Sequence, residues 1–194
     1  AKNSHAIINI DSSFIKELIP NIKAKLITFG SSKEADFCLD GYRTKSNSTQ
    51  YLFSFNNQQY EININGYLLP KEYGLTILAV IATAKTLGVD IKKVISKLEG
   101  GFHLPPGRMS LISGKNGSTI IDSSYNSSPI ALKSLLIAMQ HFPVKGKKIL
   151  VLGDMRELGP LTAVEHRNLA DIVGKVADQV ILVGPLMKKF LYPE

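Results

Sequence analysis

Apolar residues recur along this chain in two different patterns, and the change between them falls near residue 106. In the first part, apolar runs at 6–10 and 26–29 read as strands. They enclose a helical stretch at 14–19, which Asp11, Ser12 and Ser13 can cap and Pro20 ends. Strand, helix and strand in that order predict a βαβ unit. Alternating segments at 36–42, 51–55 and 60–64 predict an antiparallel meander, with a polar hairpin turn at Asn56, Asn57 and Gln58. Residues 75–87 are apolar and alanine-rich as far as Gly88, which predicts a largely buried helix. A second, amphipathic helix is expected over 91–98, with Ile91, Val94, Ile95 and Leu98 on one face.

Gly100, Gly101, Pro105, Pro106 and Gly107 then form the densest run of structure breakers in the chain, the natural place for a domain boundary. Two domains follow from it, 1–105 and 106–194. In the second, strands are expected at 119–122, 148–152 and 179–183. Helices are expected over Pro129–Gln140 and 163–176, with another starting after Pro185. Such alternation predicts a parallel sheet with right-handed crossovers, hence a Rossmann-like domain within an α/β fold class.

Composition changes this picture little. A 44% hydrophobic content over 194 residues suffices for a real core. Cys38 is the single cysteine and cannot form an internal disulfide; in its alternating run a buried thiol is expected. No apolar run approaches the ~20 residues of a membrane span, and the start shows no signal-peptide apolar region, so a cytoplasmic protein with no membrane partner is expected. The net charge of +7 comes from dispersed lysines and arginines without interleaved aromatics, which argues against nucleic acid. Anionic nucleotides are the better match for that charge.

Self-contained chemistry is scarce. The sequence holds neither a Gly-x-x-x-x-Gly-Lys-Ser/Thr phosphate loop nor a Gly-x-Gly-x-x-Gly fingerprint. Gly114 to Ser118, superficially phosphate-loop-like, lies between strands and is expected to be a hairpin turn. His5, His103, His141 and His166 show no metal-ligand spacing with carboxylates, so no metal site is expected here.

Two segments carry more information. Ile121-Asp122-Ser123-Ser124-Tyr125-Asn126-Ser127-Ser128-Pro129 and Val151-Leu152-Gly153-Asp154-Met155-Arg156-Glu157-Leu158-Gly159 each begin as a strand and break into a polar turn, where open α/β sheets hold ligands. They resemble the Asp-Asp-Ser-Tyr-Asn-Ala-Asn-Pro and Leu-Gly-Asp-Met-x-Glu-Leu-Gly signatures of the Mur ligases. The branch most resembled adds D-alanyl-D-alanine to a UDP-N-acetylmuramoyl-tripeptide. Gly107-Arg108-Met109 resembles the family's interdomain Gly-Arg-Met, and Asn9-Ile10-Asp11-Ser12 its Asn-x-Asp-Asp.

The resemblance implies the second half of a central ATPase domain, followed by most of a C-terminal Rossmann-like domain. The complete protein would then be an ATP-dependent peptide ligase, a monomer, with UDP-MurNAc-peptide and D-alanyl-D-alanine as partners. Its Mg2+ ligands and phosphate loop would lie outside this segment, which alone is expected to be inactive. On the nucleotide side the resemblance places Arg108, Asp122, Ser124 and Asn126. On the dipeptide side it places Asp154, Met155 and Glu157, with Tyr125 and His166 as further site residues. Three departures weigh on the nucleotide assignment. Ser123 replaces the second acid, Ser128 replaces an asparagine, and Glu72, Tyr73 and Thr76 stand where the family has polar residues near the adenine. Two other readings stay open: a related ligase of the folylpolyglutamate or cyanophycin type, and a non-catalytic nucleotide- or peptide-binding module.

Overall fold

The computed structural model describes residues 4–192 and divides the chain into two compact units. The first takes the described residues up to Arg43, Thr49–Asn65 and Lys71–His103. The second takes Thr44–Ser48, Gly66–Pro70 and the residues from Leu104 onward.

In the first unit β1 (His5–Asn9) and β2 (Lys25–Gly30) pair in parallel, from His5 opposite Lys25 to Asn9 opposite Phe29. The helix α1 (Ser13–Leu18) connects them, as the βαβ pattern requires. Its cap differs from the expectation. Ser12 is the N-cap but makes no side-chain cap bond, and Asp11 is drawn off to accept the backbone N–H groups of Ser31 (2.7 Å) and Ser32 (3.1 Å). That carboxylate lies where a side chain on Gly30 would have to be: a β-carbon there would be 2.6 Å from Asp11 Oδ1.

β3 (Phe37–Lys45) runs parallel to β2 over only two residue pairs, Phe29 with Phe37 and Gly30 with Cys38, after the short connection 31–36. β4 (Ser48–Phe55) and β5 (Gln58–Asn65) complete a five-stranded sheet in the order β1-β2-β3-β4-β5. The connections are two residues long, which permits only antiparallel pairing. Asn56 and Asn57 both have positive φ (50° and 62°), the conformation of the hairpin turn that asparagine tolerates best among residues with a side chain. The strands outrun their sequence-predicted ends because tight turns at both tips let pairing continue.

Phe37, Tyr51, Phe53, Ile62 and Ile64 turn inward from this sheet, and α2 (Glu72–Thr86) contributes Ile77, Leu78 and Ile81 to the same unit's core. Gly74 is required by close approach, since a β-carbon there would meet the Tyr51 ring at 2.8 Å and a Leu39 methyl at 2.9 Å. Gly88, at φ 85°, ends the helical run. α3 (Ile91–Gly101) follows, its first turn capped by Asp90, which accepts the Lys93 N–H at 3.2 Å. Cys38 is a buried free thiol, and burial pushes its pKa up. Burial alone would also raise Asp40. Hydrogen bonds from Lys33 and Ser54 and the Lys33 charge outweigh it and hold the Asp40 carboxyl below the usual range.

In the second unit β6 (Ser110–Ser113) and β7 (Thr119–Asp122) form an antiparallel hairpin in register from Ser110–Asp122 to Ser113–Thr119. The 66–70 segment runs alongside: Leu68 N–H donates to Met109 O at 3.0 Å and Leu111 N–H to Gly66 O at 2.8 Å. Helix α4 (Pro129–Gln140) begins and ends where the sequence places it, with Ser128 Oγ as N-cap. β8 (Ile149–Gly153) and β9 (Gln179–Val183) pair in parallel. Leu150 and Leu152 of β8 join Leu136, Leu169, Val173, Val176, Met187 and Leu191 in one core.

Two expectations for this unit need correction. The stretch 163–176 is two helices, α5 (Thr162–Arg167) and α6 (Ala170–Val176). Asn168, a weak helix former, sits at the break, and Leu169 N–H takes a tightened bond to His166 O. Among the described residues β7 bonds to β6 and β8 to β9, so the parallel ladder has two strands rather than three. The turn at Gly114–Ser118 folds β6 back along β7, and it is this pairing that the β7 backbone takes up. α7 (Pro185–Phe190) closes the described chain. No helix among the described residues is long and apolar enough to cross a membrane.

Candidate functional site

The loop after β7 is shaped by its own side chains. Asp122 Oδ1 accepts the Ser124 N–H at 3.1 Å, and Asn126 Oδ1 accepts the Ser127 N–H at 2.8 Å, turning the chain into α4. Ser128 keeps the capping role at the position where the resembled motif has asparagine. Ser124, Tyr125 and Asn126 are exposed, and Asp122 and Ser123 are half-buried.

Arg108 reaches this loop from the segment before β6. Its guanidinium carbon lies over the Tyr125 ring, 4.4 Å from the centre. The backbone beneath is closely fitted. Tyr125 N–H donates to Gly107 O at 3.2 Å. Gly107 is buried at φ 76°, and a β-carbon on it would meet Tyr125 N at 2.9 Å. The fold therefore brings Arg108, Asp122, Ser124, Tyr125 and Asn126 together at one place in the second unit. Chemically the cluster presents a cation, a carboxylate with one oxygen outside its turn bond, and an exposed ring. That set suits a ligand with anionic and hydroxyl groups.

The loop after β8 is placed differently. Asp154 Oδ1 accepts the Met187 N–H at 2.8 Å, in the first turn of α7. Met155 is fully buried and belongs to the core, so its side chain serves packing and not the loop surface. His166 is also fully buried: Nε2 accepts the Met155 N–H at 3.2 Å, and Nδ1 lies 2.7 Å from Thr162 O. These two bonds require the neutral tautomer with its proton on Nδ1. Arg156 and Glu157 are the exposed members. Glu157 holds a positive φ of 63°, which costs a non-glycine residue about 1–2 kcal/mol.

Sequence reasoning missed Gly184 and the α7 N-terminus as the partners of Asp154. The available signal was Val183-Gly184-Pro185, a strand end followed by glycine and proline. Glu72 and Thr76 are exposed and Tyr73 half-buried at the start of α2. An open cleft of about 420 Å3, bordered by Phe55, Tyr60, Lys85 and Lys92, lies in the first unit, and none of the predicted site residues lines it. Among the described residues no group of three or more histidines, cysteines or acids could hold a metal ion.

Residues 107–191 match the family model described as "Mur ligase, glutamate ligase domain". The UDP-N-acetylmuramoyl-tripeptide–D-alanyl-D-alanine ligase of Bacillus subtilis is 28% identical over 160 residues, 82% of this chain and 34% of that protein. The UDP-N-acetylmuramate–L-alanine ligase of Blochmanniella floridana is 30% identical over 146 residues, 70% of this chain and 30% of that protein. Among solved structures, the MurF ligase of Thermotoga maritima in complex with ADP superposes with a TM-score of 0.77 at 27% identity, covering 97% of this chain and 42% of that one. The chain spans about a third of the length of the curated relatives it matches. Residues 107–191 thus carry the Mur ligase, glutamate ligase domain, and the α/β chain resembles a solved Mur ligase over nearly its whole length.

Proposed function

We propose that the chain is part of an ATP-dependent ligase of peptidoglycan precursor synthesis that joins D-alanyl-D-alanine to a UDP-MurNAc-peptide. Residues 1–105 would be the second half of the central ATPase domain and 106–194 most of the C-terminal domain. The division between His103 and Leu104 supports that boundary, and the second unit's inclusion of 44–48 and 66–70 refines it. In the complete enzyme ATP would phosphorylate the acceptor carboxylate. The dipeptide amine would then attack the acyl phosphate, releasing phosphate after ADP. We place the enzyme in the cytoplasm as a monomer.

The observation that carries this reading is the convergence of Arg108, Asp122 and Tyr125 in one cluster. Arg108 would direct its planar donors at phosphate oxygens, and the second oxygen of Asp122 would accept a ribose hydroxyl, with Ser124 and Asn126 shaping the turn. Glu157 would attract the dipeptide ammonium, while Asp154 and His166 hold its loop. Magnesium would be held by residues outside this segment; among the described residues no group of three or more histidines, cysteines or acids could hold a metal ion. A second reading, ligation of another amine, is favoured by the 30% identity to the L-alanine ligase.

The test is ADP release by the complete protein. Turnover with UDP-MurNAc-tripeptide and D-alanyl-D-alanine supports the first reading, and turnover only with UDP-N-acetylmuramate and L-alanine supports the second. The isolated 194-residue chain, which lacks a phosphate loop, should ligate nothing and bind ATP no tighter than about millimolar, roughly −4 kcal/mol. Micromolar affinity in titration calorimetry would reveal a nucleotide site outside the Arg108 cluster.

A further inference from the structure

Arg108 is held at its root from both sides. Gly107 and Met109, its chain neighbours, both take positive φ, 76° and 56°. Gly107 O is fixed by the Tyr125 N–H, and Met109 O by the Leu68 N–H. Met109 has a side chain, and such residues enter this region only when the surrounding structure compels them. The loop thus spends conformational energy to aim one side chain.

The far end of that side chain is exposed, and among the described residues it makes no ion pair. It rests on the face of Tyr125, a ring itself 67% exposed. An exposed tyrosine on a loop gains little from burial, so packing does not explain its place. A guanidinium resting face-on against a ring keeps its in-plane N–H donors free, while the ring removes much of the rotamer freedom of a long side chain.

We propose that Tyr125 is a positioning residue: it supports Arg108 in a preset orientation so that its donor edge meets the phosphate oxygens of a nucleotide without first having to be ordered. This rests on the proposed nucleotide role of Arg108. The contribution is that of the ring, and the phenol hydroxyl is dispensable.

The experiment is steady-state kinetics of the complete ligase with ATP and amine varied separately, for Arg108→Ala, Tyr125→Ala, Tyr125→Phe and the double alanine variant, each checked by thermal melting. Tyr125→Ala should raise the KM for ATP about two- to fivefold, with the amine KM unchanged and kcat little altered. Tyr125→Phe should restore the wild-type KM. The double variant should be no worse than Arg108→Ala alone, because the ring acts only through the arginine. Loss in Tyr125→Phe equal to that in Tyr125→Ala, or additive losses in the double variant, would overturn the proposal, as would a Tyr125→Ala enzyme with wild-type ATP dependence. A wild-type KM for ATP in Arg108→Ala would overturn the nucleotide reading as well. A lowered melting temperature with all kinetic constants scaled together would mean that Tyr125 serves only folding.

Discussion

Asp154 and Gly184 are fitted to one another: the carboxylate of Asp154 occupies the space a β-carbon on Gly184 would need, 2.4 Å from Asp154 Cγ. Gly184 also holds φ 104° and ψ 160°, a conformation open essentially to glycine alone. The two together let Asp154 reach the Met187 N–H and tie the loop after β8 to α7. Gly184→Ala should therefore cost about 3 kcal/mol in urea unfolding, from backbone strain plus collision. Asp154→Ala should cost about 0.5–2 kcal/mol, the usual loss for a helix cap. Additive costs in the double variant would show that the two residues are not coupled as described.

His166 holds the same loop from its other side. Replacing it with phenylalanine leaves the buried Met155 N–H without an acceptor, for an expected loss of about 1–3 kcal/mol, and the larger ring adds crowding at this buried site. Hydrogen exchange should also report reduced or lost protection of the Met155 amide. Unchanged protection would mean that the ring is not its partner in solution.

Glu157 separates stability from function. Glycine adopts positive φ freely, so Glu157→Gly should leave the fold unharmed or stabilise it by up to about 1 kcal/mol. In the complete ligase the same change should lower kcat/KM for the amine about 10- to 150-fold, the value of about 1.5–3 kcal/mol for one charged hydrogen bond. ATP dependence should stay as it was, whereas Arg108→Ala should show the reverse pattern. Equal damage to both substrates from both variants would assign these residues to domain closure.

Stability should fall at both ends of the pH scale, for separate reasons. Asp40 has its pKa lowered in the fold, so its contribution is present above its unfolded value of about 4 and is lost as pH falls through the lower folded value. Asp40→Asn should flatten the acid limb of the stability curve. Tyr42 and Tyr51 are pushed up by burial first, with negative charge at Glu72 adding to it. Their neutral forms favour folding fully below about pH 10, and that contribution is lost as pH rises further, where the unfolded phenols ionise. Tyrosinate absorbance should show a late fraction appearing together with unfolding. A single transition near pH 10 with the fold intact would count against this burial.

Local periodicity by itself determined much of this protein. Helix α4, strand β9 and the stop at Gly88 follow from residue spacing, proline at a first turn and glycine after a last one, because those effects act within a few residues. The identity of the loop residues after β7 and β8 was likewise legible, since each motif is contiguous. Tertiary structure decided what those residues do. Asp154 meets its partners 30 and 33 residues away, and Met155 disappears into a core assembled from four later or earlier elements. Arg108 finds Tyr125 through a positive-φ loop whose energy no local propensity favours. The partner of β7 was also beyond the sequence, because alternation reports which residues face a core but says nothing of which backbone lies beside the strand.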